Sequence, residues 1–319
     1  MKAFILAAGY GTRLEPLTIA VPKPMIPVAG LPVMEHNIEL LEKYGFTDVT
    51  ANIHYHPEQI ENYFGLKLDY SFEEELLGTA GGVKRMAKAT NETFLVLSSD
   101  ALTDIDLGKM LAFHRQKKAI VTVALSKVFD VTEFGVVVQD KSGRIVGFQE
   151  KPKPEQALSD LANTGIYIFE PEILKYIPEG FYDFGRQLFP KLVEKDVPLF
   201  GYQLSGYWND VGNLDQYRQS NYDVVNGKVA VRSAAKKLGS SILGEGCSIA
   251  SDAKVDNSII WSEVIIASGA QVESSIIGSF TYIGKNVKIG AGSVIANRCQ
   301  IHSGVELPPG TRLHPDTIV

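Results

Sequence analysis

The chain has 319 residues, 45% hydrophobic and 21% charged, enough apolar material for one large domain and a smaller one. A formal net charge of −6 argues against a protein that binds by neutralising many nucleic-acid phosphates, yet leaves room for a local cationic pocket. Its two cysteines, Cys247 and Cys299, supply neither a disulfide framework nor a cysteine zinc cluster, and a reduced, cytoplasmic setting is expected.

The opening run Lys2–Ala8 reads as a buried strand, because it is too short for a signal-peptide core and leads straight into Gly9-Tyr10-Gly11. No segment approaches the ~20 apolar residues of a membrane helix, so a soluble protein is expected. Pro32 opens a helix with Val33, Met34, Ile38, Leu41 and Tyr44 on one face, stopped by Gly45. A strand over 48–53 follows, then a helix after Gly78-Thr79-Ala80-Gly81-Gly82, the apolar strand Phe94-Leu95-Val96-Leu97, a helix over 107–117 and a strand over 120–125. This alternation predicts an α/β fold: a Rossmann-like, mostly parallel sheet with helices on both faces, with ligands bound beyond the carboxyl ends of the strands. A helix over 214–225 ends at Gly227, and a linker is expected near 226–239.

From residue 240 onward the helical signals vanish. Leu243, Ile249, Val255 and Trp261 are six apart; Ile266 and Val272 repeat the interval, as do Ile277, Ile283, Ile289, Ile295 and Ile301. An apolar residue every six positions, with small residues at the corners, marks a hexapeptide β-helix. The expected division is therefore a catalytic domain over 1–230 and a left-handed β-helix domain over 231–319.

Five motifs carry chemistry. Gly9-Tyr10-Gly11-Thr12-Arg13 follows strand one, where glycines let backbone N–H groups cradle an anion and Arg13 adds a cation. Lys23, stiffened between Pro22 and Pro24, adds a second. The run lacks the Gly-Lys-Ser/Thr of a P-loop and the third glycine of a dinucleotide fingerprint. In Glu73-Glu74-Glu75-Leu76-Leu77-Gly78-Thr79 the turn suits a flat base and the carboxylates suit its N–H donors; an acidic loop leading to a Thr79-capped helix is the structural alternative. Asp100 ends a buried strand and suits Mg²⁺, whereas Asp104 and Asp106 are expected to lead and cap the next helix. Glu150-Lys151 and Asn163-Thr164-Gly165 suit sugar hydroxyls and a phosphate. Asp210, within Tyr207-Trp208-Asn209-Asp210-Val211-Gly212, suits a second metal ligand. None of the six histidines has zinc-type spacing.

In order and spacing these motifs resemble the sugar-1-phosphate nucleotidyltransferase (NDP-sugar pyrophosphorylase) family, over the whole chain, including the branches that carry a C-terminal left-handed β-helix. The resemblance implies Arg13, Lys23 and Lys151 as catalytic cations, the first two on the β- and γ-phosphates and Lys151 on the sugar phosphate. It implies a nucleotide site of Ala8, Gly9, Gly11, Thr12, Glu75, Gly78 and Thr79, a sugar site of Gly135, Glu150, Asn163 and Gly165, and Mg²⁺ held by Asp100 and Asp210. Three positions depart from the family pattern: Glu15 where many relatives have Arg, Ser99 where Gly is usual, and Thr164 where Ala is common.

The turn at 78–82 and its acidic lead are most similar to the mannose-1-phosphate guanylyltransferase branch, which implies GTP and mannose-1-phosphate; a Glu73 or Glu75 carboxylate could accept the N1–H and N2–H of guanine. A uridylyl or thymidylyl specificity for glucose-1-phosphate is the alternative within the class. Outside it stand a hexapeptide acyltransferase, for which His302 is the one candidate base, and a non-catalytic regulatory subunit. Trp261, Phe280 and Tyr282 are expected on the outside of the β-helix, where they would support homo-oligomerisation; the prolines at 308–309 are expected to end strand addition. No nucleic-acid or membrane partner is expected.

Overall fold

The first strand, β1 (Lys2–Leu6), buries Ala3, Phe4 and Ile5 completely because parallel strands flank it on both sides. The computed structural model describes Met1–Val319. Its contacts divide the chain into two compact units, Met1–Gly9 with Asn37–Asp210, and Tyr10–His36 with Val211–Val319. In chain order the helices are α1 (Val33–Lys43), α2 (Pro57–Phe64), α3 (Gly78–Ala87), α4 (Leu107–Lys117), α5 (Phe189–Glu194) and α6 (Leu214–Val225).

The first unit holds β1, β2 (Asp48–Ile53), β3 (Asp69–Phe72), β4 (Phe94–Ser98), β5 (Ala101–Thr103), β6 (Val121–Lys127), β7 (Gly135–Gln139), β8 (Ile145–Glu150), β9 (Leu161–Phe169), β10 (Leu199–Gln203) and β11 (Trp208–Asp210). Nine of them form one sheet in the order β8-β7-β9-β4-β1-β2-β3, with β6 pairing both β9 and β10. Strands β4, β1, β2 and β3 are mutually parallel. The strand-helix alternation holds along that half. Residues 135–169 instead run through β7, β8 and β9 with no α-helix between, so β9 pairs antiparallel with β4, β6 and β7.

Phe94, Tyr167, Phe169, Phe184 and Phe189 form an aromatic core beside this antiparallel region, with ring centroids such as Phe94–Phe169 and Tyr167–Phe184 5.6 and 5.0 Å apart. The start of α4 is set as expected, the Asp106 carboxylate accepting from the Lys109 N–H at 2.9 Å. Asp104 does something else: its carboxylate accepts from the Tyr207 N–H at 2.7 Å and so joins the segments around β5 and β11.

In the second unit the left-handed β-helix begins where Lys236–Leu238 pairs antiparallel with Ser241–Leu243; every later pairing is parallel. Its strands stack into three sheets, the faces of a prism filled by Ile266, Val272, Ile277, Ile283, Ile289, Ile295 and Ile301.

One position of the expected series is wrong. The inward residue after Val255 is Ile260, not Trp261. The cause is coil length: Ile242 pairs with Ile259 and Ile259 with Ile276, steps of 17 residues, whereas Ile276 pairs with Val294 and Val294 with Arg312, steps of 18. Trp261 is nonetheless not exposed, contrary to the outward placement expected for it; it is 4% accessible and its indole N–H donates to the Tyr217 hydroxyl of α6 at 2.7 Å. Phe280 and Tyr282 are exposed as expected. The prolines at 308–309 do not end the stack, since Arg312–Leu313 pairs beyond them and Ile318 bridges to Gln300.

Candidate active site

Because β1 and β4 are parallel with Leu6 opposite Ser98, the chain leaves both strands at the same sheet edge, and the Ser99 N–H donates to the Leu6 carbonyl at 3.0 Å. Ala7, Ala8 and Gly9 therefore emerge beside Ser99 and Asp100. Ala8 is buried, while Gly9 faces open space.

This loop is held by residues that sequence reasoning overlooked or misassigned. Asn52, at the end of β2, accepts from the Ala7 N–H at 2.7 Å and donates to Glu73 at 2.8 Å. The other oxygen of Glu73 takes the Leu77 N–H at 2.9 Å. Glu73 is 1% accessible and committed to this network, so it is unavailable to a base; Glu75 is exposed. A buried carboxylate in a run of three looks no different from its neighbours in sequence.

Gly78 and Thr79 open α3, but Thr79 does not cap it. Its hydroxyl donates to Asp183 at 3.0 Å and accepts from the Phe184 N–H at 2.8 Å, while the Ala80 and Gly81 N–H groups both donate to the Tyr182 carbonyl. The start of α3 is thus sewn to segment 182–184.

The backbones at Asp100 and Asp210 are brought near each other by a short antiparallel pair. β11 lies against β5 with Asp210 opposite Ala101, the residue after Asp100. Ser98 donates to Asp100 at 2.6 Å and orients it. No group of three or more His, Cys, Asp or Glu side chains could hold a metal by itself. Two carboxylates suit Mg²⁺, which takes oxygen ligands and usually completes its shell with water and substrate phosphates. The Thr164 departure is absorbed locally, its hydroxyl donating to the Ala124 carbonyl at 2.8 Å, and the Ser99 backbone carbonyl accepts from Asn37 at 3.1 Å.

Glu150 ends β8 opposite Gly135 of β7. Its carboxylate occupies space that two missing side chains provide: a Cβ on Gly135 would lie 3.0 Å from Glu150 Oε2, and one on Gly185 would lie 2.5 Å from it. Although the residue as a whole is exposed, desolvation on this inner side raises its pKa above the ordinary carboxylate value and Asp183 adds to the rise, while Lys151 and Arg186 oppose it. Lys151 has a left-handed backbone (φ 48°), and its N–H donates to the Phe134 carbonyl at 3.0 Å. Asn163 and Gly165 lie on β9, where the Asn163 carboxamide takes the Gly165 N–H at 3.1 Å. Trp208 joins this region to β11, its indole N–H donating to the Thr164 carbonyl at 3.0 Å. Asp183, Gly185 and Arg186 carried no signal in the sequence, since a bend followed by an irregular helical turn has no distinctive pattern.

Gly11, Thr12, Arg13 and Lys23 belong to the second unit. Gly11 adopts φ 70°, and a Cβ there would lie 2.8 Å from the Lys23 Cβ, so glycine lets the loop lie directly on the Lys23 stem. The Thr18 hydroxyl donates to the Gly11 carbonyl at 3.0 Å. Arg13 sits in a single 3₁₀ turn, Thr12–Leu14. Gly11 and Lys23 thereby lie against each other within one segment. The histidines expected to be structural include His36, bonded to the Val28 carbonyl, and buried His114, bonded to Thr122 and Glu170.

The profile of the nucleotidyl transferase family matches residues 2–227, and that of the GMPPB C-terminal domain matches residues 222–315. The UTP–glucose-1-phosphate uridylyltransferase of Synechocystis sp. is 45% identical over 241 residues, 69% of this chain and 62% of that protein, so the match spans under two thirds of that relative. The mannose-1-phosphate guanylyltransferase of Mycobacterium tuberculosis is 34% identical over 283 residues, 80% of this chain and 78% of that protein. A solved UDP-glucose pyrophosphorylase complexed with UDP-glucose shares the fold with a TM-score of 0.63 at 22% identity, covering 71% of this chain and 98% of that one. No helix is long and apolar enough to cross a membrane.

Proposed function

The chain belongs to the nucleotidyl transferase family, and from that premise we propose that it transfers a nucleoside monophosphate from a nucleoside triphosphate to a sugar-1-phosphate. A sugar-phosphate oxygen attacks the α-phosphorus in line, the new P–O bond forms, and the bond to pyrophosphate breaks. The attacking phosphate is already ionised near neutral pH, so no protein base is needed and catalysis rests on positioning and charge.

In this reading Arg13 and Lys23 hold the β- and γ-phosphates. Ala8, Gly9, Gly11, Thr12, Gly78 and Thr79 frame the nucleotide, with Glu75 toward the base. Gly135, Glu150, Asn163 and Gly165 take the sugar and Lys151 its phosphate. Asp100 and Asp210 would hold Mg²⁺, which when bound would offset the negative charge of the phosphates during transfer. The observation that carries the reading is the β5–β11 register, which sets Asp210 opposite the neighbour of Asp100 at the edge where Ala7–Gly9 emerges.

GTP and mannose-1-phosphate are the proposed pair, supported by the match of residues 222–315 to the GMPPB C-terminal domain and by the guanylyltransferase relatives. The 45% identity to a uridylyltransferase over 241 residues favours UTP and glucose-1-phosphate as the second reading. Pyrophosphate release measured across a matrix of four triphosphates and several sugar-1-phosphates separates the two, and release with no pair refutes the proposal. Self-association through the β-helix face bearing Ile265, Phe280 and Tyr282 is proposed alongside, supported by the exposure of these large apolar residues; the mass of the full chain in solution checks it. A cytoplasmic location accords with two unbridged cysteines.

A further inference from the structure

The segment that carries Arg13 and Lys23 does not pack as sequence order suggests. Tyr10–His36 forms one compact unit with Val211–Val319, the part of the chain that contains the β-helix. The contacts responsible fall on both sides of Lys23.

On the near side, Arg312 of the β-helix donates from Nη1 to the Glu15 carbonyl at 2.9 Å, two residues beyond Arg13. Arg13 and Arg312 line a common groove of about 510 Å³ together with Arg218. On the far side, the indole N–H of Trp261 donates to the Tyr217 hydroxyl at 2.7 Å, and that hydroxyl donates to the Pro27 carbonyl at 2.9 Å. Tyr217 is fully buried and Trp261 nearly so, so this chain of hydrogen bonds is shielded from water. Next to it the Ala234 and Ala235 N–H groups both donate to the Ala29 carbonyl at 2.9 Å, and the Asn221 carboxamide takes the Ala29 N–H at 2.8 Å. At Gly30 a Cβ would lie 2.8 Å from the Ala235 nitrogen, so the two backbones touch.

The cationic segment has little internal structure to hold it. Up to Pro32, where α1 has not yet begun, its elements are three 3₁₀ turns of three residues and one two-residue hairpin pair, and none of the turns has a side-chain cap. Such a segment keeps one conformation only if tertiary contacts impose it. We infer that the β-helix serves as the scaffold for the cationic segment, with Arg312 and the Trp261–Tyr217 pair as positioning residues that set Arg13 and Lys23 for the triphosphate. This rests on the proposed transferase reading for its kinetic consequence and on the contacts alone for its structural one. Arg312 acts through the backbone at Glu15, and the Trp261–Tyr217 pair through the backbone at Pro27.

The test uses the full chain with Arg312→Ala, Arg312→Lys and Tyr217→Phe, and Arg298→Ala as a control that breaks the exposed Arg298–Asp316 ion pair elsewhere on the β-helix. Hydrogen–deuterium exchange reads the segment directly. Arg312→Ala should accelerate exchange around residues 12–16 and Tyr217→Phe around residues 25–29, with Arg298→Ala moving neither. In steady state, Arg312→Ala should raise KM for the triphosphate about tenfold while KM for the sugar phosphate stays within about twofold, and Arg312→Lys should recover part of the loss. Unchanged exchange in both segments overturns the inference even if the enzyme is active. Equal changes in both KM values with a falling melting temperature also overturn it, because they mark general destabilisation. Should no substrate pair be turned over, the transferase reading fails while the exchange data still decide the scaffold role.

Discussion

Gly185→Ala separates the demands of folding from those of sugar binding. The added methyl carbon would sit 2.5 Å from Glu150 Oε2, too close for that atom to stay, and in tight contact at 3.3 Å with Glu150 Cδ and Phe148 Cε1. The obstructed atom is the tip of a flexible side chain, so Glu150 can swing away without moving β8. Stability should therefore change by less than about 1 kcal/mol, or a few degrees in melting temperature, since overpacking is partly offset by the lower unfolded-state entropy of alanine. Function should not tolerate the same motion. Hydrogen bonds to a charged group contribute about 1.5–3 kcal/mol each, so displacing the carboxylate from a sugar hydroxyl should raise KM for the sugar phosphate by about one to two orders of magnitude. Pyrophosphate release with each substrate varied in turn reads both constants, and thermal melting reads stability. A folded Gly185→Ala enzyme with unchanged KM for the sugar phosphate would refute the assignment of Glu150 to the sugar.

The other expectations follow from the same geometry. Asp100→Asn and Asp210→Asn should each lower Mg²⁺-dependent turnover by at least about 100-fold with little change in melting temperature; near-normal activity in either removes that residue from the metal site. Arg13→Ala should lower kcat/KM for the triphosphate by roughly two or three orders of magnitude, about 3–4 kcal/mol, while Lys151→Ala should chiefly weaken the sugar phosphate; equal effects on both substrates would contradict separate subsites. Glu150→Gln addresses linkage. The raised pKa of Glu150 means that its contribution to stability is present below its ordinary value and lost as pH rises through the folded one, so the variant should be the more stable protein at about pH 7. That advantage should shrink as pH falls toward about 4, and melting curves showing a pH-independent difference would exclude the mechanism.

Sheet, helices and β-helix were legible because each rests on a period. α4 and α6 occupy the residues that their apolar spacing and end signals indicate, and isoleucines at six-residue intervals fill the prism. Candidate positions stood out in the sequence where they end or follow a strand, Glu150 at the end of β8 and Asp100 two residues past β4. Illegible were the groups whose role depends on a distant partner. Glu73 is indistinguishable from Glu74 and Glu75 until Asn52 is seen beside it, and Asp183 acquires meaning only from Thr79 and Glu150. The antiparallel placement of β9 is likewise a long-range outcome, since a nine-residue apolar strand suits either direction.

The misplaced Trp261 leads to a structural rule for this β-helix. Inward residues step by six along each coil, but the steps from Val255 to Ile260 and from Val272 to Ile277 are five. Each shortened corner contains a left-handed residue that is not glycine, Asn257 (φ 46°) in one and Ser274 (φ 44°) in the other. In the later coils this same corner has a step of six and carries glycine in that conformation, Gly292 and Gly310, while six-residue corners elsewhere hold non-glycine residues there, such as Asn286 and Arg298. Both shortened corners are gripped by one side chain of α6: Arg218 donates to the Asn257 carbonyl at 2.8 Å and to the Ser274 carbonyl at 3.1 Å. Tyr222, one helical turn on, donates to the Asn257 side chain at 2.9 Å. The missing residue in the first corner also carries Trp261 out of the prism to its partner Tyr217, on the preceding residue of the same helix. Irregularity in the repeat thus coincides with the attachment of α6, as expected if a regular 18-residue coil would carry these carbonyls out of register with Arg218. A strict hexapeptide pattern would have been easier to read, and it would have lacked this grip.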